Sequence, residues 1–290
     1  MAQVGVTDRF AELAPQFSRD GVVCLRGALS ERELARTLEM FNYTKERPGP
    51  AARNFYAEQG VSFYQDGGNV RNWPAYINFC KTSPIPDIVA ALWGSKDVWF
   101  FYEQIFFKEG MKSRRTAWHQ DQSYIPYEGQ LSASVWINFE PVPKANTLEF
   151  VRGSHRGPIF NGSRYDPDDD AAGFFKDGIL PRLPDIEGHR EDFDIVSWAV
   201  DPGDIVVFHH NILHGGAPLE PGQTRRTISL RFIGKDVHRV ERALDLAEES
   251  TQSNVDDEVV RAFTGMVTNL KPGEPVYNSP QIVKVRPLAL

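Results

Sequence analysis

In the first forty residues apolar side chains recur at helical spacing. Phe10, Leu13, Ala14 and Phe17 fall on one stripe, and "SRDG" closes the segment. Ser30, followed three residues later by Glu33, carries a capping-box signature and predicts a helix over "SERELARTLEMF". From "RPGP" at residue 47 to residue 80, Gly, Pro, Asn and aromatic residues crowd together without a period, which predicts irregular chain. "SPIPDIVAALWG" predicts a short helix that starts at Ser83 and stops at Gly94. After Gly94 the pattern changes to short runs rich in β-branched and aromatic residues: "DVWFFYEQIFFK", "TAWHQDQSY", "LSASVWINFEPV", "TLEFVRGSH", "DIVSWAV", "DIVVFHHNILHGG" and "RRTISLRFIG". Polar clusters such as "KEG", "VPKAN", "DPGD" and "EPGQ" separate them. Many short strands with polar turns predict a mainly β sandwich, barrel or jelly roll, not a parallel sheet alternating with helices.

Residues 156–194 interrupt the strands with an acidic, loop-like stretch, and long loops inside compact domains are often functional or mobile. Beyond Lys235, the amphipathic "VERALDLAEES" is followed by polar coil. The expectation is one domain over residues 1–290. It comprises a helical flank with substrate-side loops (1–95), a β core (96–235) with 156–194 as a lid-like insertion, and a C-terminal extension (236–290).

Composition narrows the function classes. The chain has 290 residues, 41% hydrophobic and 24% charged, with a formal net charge of −7. Such a chain can build a sizeable core, and its acidity argues against a nucleic-acid partner. Cys24 and Cys80 are the two cysteines, far apart and without metal-type spacing, which fits a reducing, cytoplasmic setting. No signal-peptide-like or membrane-spanning run of apolar residues is present, so no membrane partner is expected.

The candidate chemistry begins in "TAWHQDQSYIP". Read as a strand, it places His119, Asp121 and Ser123 on one side, where an imidazole and a carboxylate offer adjacent ligands to a divalent cation. A second piece is His214, followed by Gly215 and Gly216, which remove bulk and let backbone and cofactor approach. His209 and His210 compete with it and are read as structural. Two histidines and one carboxylate without a fourth protein ligand form a facial triad, suited to non-haem Fe(II) with positions left for a bidentate co-substrate and O2. The third piece is Arg225, eleven residues past His214. Its guanidinium is a fork for a carboxylate such as the remote one of 2-oxoglutarate. Strand periodicity puts Arg225, Thr227, Ser229 and Arg231 on one face and Arg226, Ile228, Leu230 and Phe232 on the other.

Taken together, "WHQDQSY", "VWINFEPV", "LEFVRGSHR", "DIVSWAVDPGDIVVFHHNILHGG" and "RRTISLRFIG" resemble the phytanoyl-CoA dioxygenase family of Fe(II)/2-oxoglutarate oxygenases, over roughly residues 5 to 240. The resemblance implies a double-stranded β-helix (a cupin-like jelly roll) with helices packed outside. It implies iron ligation by His119, Asp121 and His214 and a salt bridge from Arg225 to 2-oxoglutarate. Trp136 and Gln104 match positions beside the co-substrate, and Ser229 shares the face of Arg225. The family's "ENG" turn before "LEF" reads "KANT" here, a change expected to alter a hairpin and leave the metal untouched.

The implied reaction consumes O2 and 2-oxoglutarate, releases succinate and CO2, and hydroxylates or otherwise oxidises an unactivated C–H of a small-molecule metabolite. A carboxylate at position 121 argues for oxygenation, since related halogenases leave that position to chloride. Arg53, Arg71, Arg114, Arg115 and Arg231, with the aromatics of "NFYAEQGVSFYQDGG", are candidate substrate contacts and favour a carboxylate-bearing metabolite over an acyl-CoA. Two alternatives stay open: a cupin-like metalloprotein with oxygen-independent hydrolase or isomerase activity, and a non-catalytic ligand-binding relative.

Overall fold

The computed structural model describes residues 6–55, 61–110, 115–164, 169–243 and 264–287. Helices α1 (Val6–Ala11) and α2 (Ala14–Asp20) lead into strand β1 (Val22–Leu25) and helix α3 (Glu31–Glu46). Strands β2 (Arg53–Phe55) and β3 (Val61–Gly67) precede α4 (Trp73–Thr82) and α5 (Ile85–Trp93). The next strands are β4 (Val98–Gly110), β5 (Thr116–His119), β6 (Tyr127–Glu128), β7 (Ser132–Asn138), β8 (Leu148–Val151) and β9 (Ile195–Val196). Then come β10 (Ile205–Phe208), β11 (His214–Gly216), β12 (Thr224–Ile233), β13 (His238–Arg239) and β14 (Val283–Arg286).

Eight strands form a large antiparallel sheet in the order β1-β10-β7-β12-β4-β3-β2, with β14 also on β4. A small sheet runs β5-β11-β8-β9. The two sheets face each other: Val22, Trp136, Val206 and Phe208 of the large sheet pack with Leu148 and Phe150 of the small one. The outer face of the large sheet carries Val135, Ile137, Ile228, Leu230 and Phe232, and packs against helix residues such as Phe41, Tyr76, Ile88 and Val89. The fold is a jelly-roll double-stranded β-helix with helices outside, as expected.

Local chemistry explains most helix boundaries. Ser30 and Glu33 form both bonds of the capping box, with Glu33 N–H donating to Ser30 Oγ at 3.3 Å and Ser30 N–H to Glu33 Oε2 at 2.8 Å. Gly94 ends α5 in the left-handed region at φ 60°. Gly21 ends α2 at φ 75°, and a Cβ there would lie 2.3 Å from His155 Nδ1, so position and space both demand glycine.

Several expectations need correction. The first forty residues are not all helix, because "VVCL" pairs with β10 as an edge strand. Residues 47–80 are not irregular throughout: β2, β3 and α4 lie there, with β3 stabilised by long-range pairing to β4 and β2 added at its edge by pairing to β3. "DIVSWAV" contributes only Ile195–Val196, and "DIVVFHHNILHGG" breaks into two strands assigned to different sheets. The C-terminal extension is not mere coil, since β14 pairs with β4 and Tyr277 stacks on Trp99 at 4.6 Å. Most of "VERALDLAEES" lies outside the described residues.

The 156–194 segment has little regular structure but is anchored. Leu183 and Ile186 pack on Trp118 and Leu213 at the outer face of the small sheet. Arg115 and Arg190 each bridge Glu149 and Glu187, and Trp118 Nε1 donates to Glu187 at 3.1 Å. No helix among the described residues is long and apolar enough to cross a membrane.

One buried acid on the helix-covered face yields a stability prediction. Glu103 accepts from Asn69 N–H, while its Oε2 has no partner. Burial pushes its carboxyl from 4.5 up to about 8. The folded state therefore binds more protons than the unfolded chain between those values, and stability falls as pH rises from 4.5 to about 8. In Glu103→Gln this decline is expected to flatten, with a higher urea midpoint than the parent at mildly alkaline pH. An unaltered slope in urea titrations across that range would count against the assignment.

Candidate metal centre

His119 ends β5 and His214 begins β11, and the two are paired Cα to Cα across the small sheet. Cross-strand partners project to the same face, and the two imidazole rings lie 4.2 Å apart between centroids. Each ring is turned by its own strand. His119 Nδ1 is 2.9 Å from the Ala117 carbonyl and His214 Nδ1 is 3.0 Å from the Ile212 carbonyl, contacts that only a protonated Nδ1 can make. Nε2 is thereby the atom that each ring presents to the interior.

Asp121 does not sit on the strand as the alternation predicted. The strand stops at His119, and Asp121 opens a single 3-10 turn, Asp121–Tyr124. The turn swings the carboxylate beneath the imidazoles: Oδ1 lies 3.8 Å from His119 Nε2 and 3.9 Å from His214 Nε2. His119, Asp121 and His214 each offer one ligand atom, and these three atoms fall within 4.8 Å of one another. Among the described residues theirs is the one such group. Gln120, between two of these residues, turns away and holds Phe160 N–H at 2.7 Å and the Asn211 carbonyl at 2.8 Å.

Asp121 is held from the opposite sheet. Arg231 Nε donates to Oδ2 at 3.1 Å, Arg231 Nη2 to Oδ1 at 3.2 Å, and Ser134 Oγ to Oδ2 at 2.9 Å. Burial by itself would raise this carboxyl, but Arg231 and the imidazoles outweigh it and hold it well below the usual carboxylate range. Burial also pushes both imidazoles down, His214 to about 3, with the neighbouring His119 adding to its fall. The centre is therefore two neutral imidazoles and one carboxylate, the ionisation a divalent cation needs.

Facing the triad, the register of the large sheet lines up the other predicted residues. Trp136, Ser229 and Gln104 are consecutive partners across β7, β12 and β4, so they share one row on the interior face. Trp136 and Ser229 are buried and Gln104 is partly exposed; the Ser229 hydroxyl has no partner. Arg225 lies four residues along β12, buried, with Nη1 donating to the Asn146 carbonyl and its guanidinium 5.8 Å from the Trp136 ring. It has no carboxylate partner among the described residues, and burial pushes it down to about 10, still charged at neutral pH. The "KANT" turn is thus more than a hairpin variant, because its Asn146 steadies Arg225.

The remaining candidates separate. Arg231 is bound to Asp121 and not turned to a substrate. Arg115 is bound to Glu149 and Glu187 on the outer face of the small sheet. Arg71 is exposed, Arg53 is half-buried on β2, and Arg114 lies outside the described residues. His210 and His209 stay out of the triad, His210 accepting or donating with the Tyr127 hydroxyl at 2.6 Å and His209 taking Asn211 N–H at 2.9 Å. Gly215 and Gly216 make room for β5 and not for a cofactor: a Cβ on either would lie 3.0 Å from Thr116. Sequence reasoning missed Ser134 and the task of Arg231, although Arg231 falls on the face of β12 that it had grouped with Arg225.

The comparisons with known proteins agree with this arrangement. The sequence model of the family described as Phytanoyl-CoA dioxygenase (PhyH) matches residues 17–227. A probable phytanoyl-CoA dioxygenase of Caenorhabditis elegans is 22% identical over 296 residues, covering 95% of this chain and 91% of that protein. Among solved structures, the epimerase SnoN in complex with Fe3+, alpha-ketoglutarate and nogalamycin RO superposes with a TM-score of 0.65 at 18% identity, over 96% of this chain and 99% of SnoN. The alpha-ketoglutarate-dependent carbocyclase SnoK gives 0.66 at 18% identity, over 94% and 95%.

Removing Asp121 should strand Arg231 as an unpaired buried cation. Asp121→Ala is expected to lower the stability of the metal-free protein by about 3–5 kcal/mol. Asp121→Ala combined with Arg231→Met should recover part of that loss. Urea unfolding of the metal-free variants measures both; equal losses in the single and double variants would show that the ion pair is not what matters.

Proposed function

The chain belongs to the phytanoyl-CoA dioxygenase family, and from that footing we propose that it is an Fe(II)- and 2-oxoglutarate-dependent dioxygenase oxidising an unactivated C–H bond of a small-molecule metabolite. The observation that carries this reading is the trio His119, Asp121 and His214, three donors converging from one side with no fourth protein ligand among the described residues. A closed structural zinc site would use four ligands, usually including cysteine, and both cysteines lie elsewhere. The donor set fits Fe(II) with open positions.

When bound, the iron would supply activation of O2 coupled to decarboxylation of 2-oxoglutarate, giving succinate, CO2 and an oxidised substrate. Everything else is the work of this chain. His119 and His214 would bind through Nε2, and Asp121 through Oδ1, which also accepts from Arg231 Nη2, while Oδ2 accepts from Ser134 and Arg231 Nε. Arg225 would take the remote carboxylate of 2-oxoglutarate. Its burial without an acidic partner is the physical signature of a site that awaits an anion. Ser229, with a hydroxyl lacking a partner, Gln104 and Trp136 would line the body of the co-substrate.

The sheet interior supplies a water-poor setting in which these contacts strengthen. Ser163 and Phe174 reach this centre through Tyr124: the Tyr124 hydroxyl donates to the Ser163 carbonyl at 3.0 Å, and Phe174 packs edge-on at 5.0 Å. We read residues 160–164 and 169–174 as part of the wall that meets the substrate. Hydroxylation is the simplest outcome, and a carboxylate-bearing substrate keeps less support now that Arg231 and Arg115 are accounted for by acids of the chain itself.

Anaerobic loading with Fe(II) and 2-oxoglutarate, followed by O2, should release succinate, stimulated by the right substrate in a metabolite screen. His119→Ala and His214→Ala should abolish that release. Arg225→Gln should raise KM for 2-oxoglutarate about tenfold or more while iron affinity stays as in the parent. Product formed without O2 or without 2-oxoglutarate would favour the hydrolase or isomerase alternative instead.

A further inference from the structure

The two histidines of the centre stand on a small sheet whose far side is covered by a strap of chain, residues 183–195. β5 has four residues and β11 three, and their pairing shifts register between His214 and Gly216. So short and irregular a ladder has few backbone bonds to hold it. Alternation along the chain turns Trp118, one residue before His119, and Leu213, one residue before His214, away from the interior. On β8, Phe150 stacks on the His214 ring at 5.9 Å, and its neighbour Val151 points outward. Trp118, Leu213 and Val151 thus form an apolar patch directly behind the ligands, and Leu183 and Ile186 of the strap cover it. Trp118 and Leu213 are left only 3% and 4% exposed.

A ring of four charges fastens the strap. Glu187 accepts from Trp118 Nε1 at 3.1 Å and pairs with Arg115 at 2.5 Å and Arg190 at 3.0 Å. Glu149, two residues before Val151 on β8 and so on the same face, pairs with Arg115 at 3.0 Å and Arg190 at 2.5 Å. With two acids and two arginines the ring is neutral, so it describes a fastening and not an anion site. Arg115 also lies 5.2 Å from the centre of the Trp118 ring. Gly215 belongs to the same fit. A Cβ there would stand 3.2 Å from Arg115 Nη2 and 3.4 Å from Trp118 Cδ2, so glycine after His214 lets both side chains lie close against β11.

Resting on the metal-binding role read above for His119, Asp121 and His214, we propose that the strap is a brace for the histidine pair, with Trp118 and Glu187 as positioning residues that set metal affinity from outside the sheet. Register decides where the two imidazoles stand, and the brace resists the opening of that register. Held from behind, the pair meets an ion with its spacing already formed. Released, it must be closed at the expense of binding free energy. Glu187 touches no ligand; it acts through the Trp118 indole, whose backbone continues directly into His119.

Calorimetric titration of the full-length chain with Mn(II), without O2, tests this. Glu187→Ala should weaken Mn(II) binding about tenfold or more, and Glu187→Gln, which keeps an acceptor for the Trp118 N–H, should recover most of that loss. At saturating Mn(II) both variants should bind 2-oxoglutarate as the parent does, because Arg225 sits on the other sheet. Arg286→Met, which breaks an ion pair with Asp87 of α5, should lower stability without moving Mn(II) affinity. Coupling between two sites is reciprocal, so Mn(II) should in turn slow hydrogen exchange at the Ile186, Phe193 and Ile195 amides, each bonded within the strap. A folded Glu187→Ala protein that binds Mn(II) as tightly as the parent overturns the brace, and so do strap amides whose exchange Mn(II) leaves unchanged. If Glu187→Ala does not fold, the exchange measurement on the parent decides. A parent chain that binds no Mn(II) overturns the metal-centre reading itself.

Discussion

The ion pair between Arg231 and Asp121 is the contact on which the centre depends. Both side chains are nearly inaccessible, at 5% and 7% exposure, and neither charge is tolerable there alone. Arg231 comes from the middle of the large sheet and Asp121 from the turn after a strand of the small sheet. The pair therefore fixes the distance between the sheets as well as the pose of a ligand. Arg231 grips both carboxylate oxygens and Ser134 adds a bond to Oδ2, while Oδ1 also faces the two imidazoles. A metal-binding carboxylate is usually oriented by such supporting hydrogen bonds, and here the support is itself charged.

The histidines obey a different constraint. They are neighbours in a strand register, so the geometry between them is set by backbone hydrogen bonding and not by side-chain choice. Each ring's tautomer is set by a carbonyl two residues back in its own chain. Backbone thus fixes two of the three donors, and the long-range ion pair fixes the third. On the facing sheet, Arg225 is a buried cation without an acidic partner among the described residues, so the interior has a histidine and carboxylate end and a cationic end.

Much of this was legible in the chain. Period-two alternation sorted β12 correctly, with Arg225, Thr227, Ser229 and Arg231 inside and Ile228, Leu230 and Phe232 against the helices. The capping box at Ser30 and the stop at Gly94 are local chemistry and could be read locally. What escaped was non-local. Arg231 is 110 positions from Asp121, and only the sheet pairing shows that an arginine resembling a substrate contact is bound to a ligand. β1, β2 and β14 escaped for the same reason: their short segments carry little pattern, and a partner strand makes them strands. Asp121 was assigned to the right site by the wrong geometry, since H-x-D alternation and a strand followed by one 3-10 turn bring the same two residues together.

The division of labour between sheet and loop follows from these constraints. Residues tied by register, tautomer and buried charge have almost no freedom to vary without loss of the centre. Residues 160–164 and 169–174 meet it through Tyr124 and Gln120, by ring packing and by bonds to backbone carbonyls and amides, such as Phe160 N–H to Gln120 and the Tyr124 hydroxyl to the Ser163 carbonyl. Bonds to backbone atoms constrain the position of a loop without dictating its side chains. On the function proposed above, side chains on that wall can change the substrate while the geometry of His119, Asp121 and His214, anchored in the two sheets, stays where it is. On that reading, specificity belongs to the loop and reactivity to the sheets.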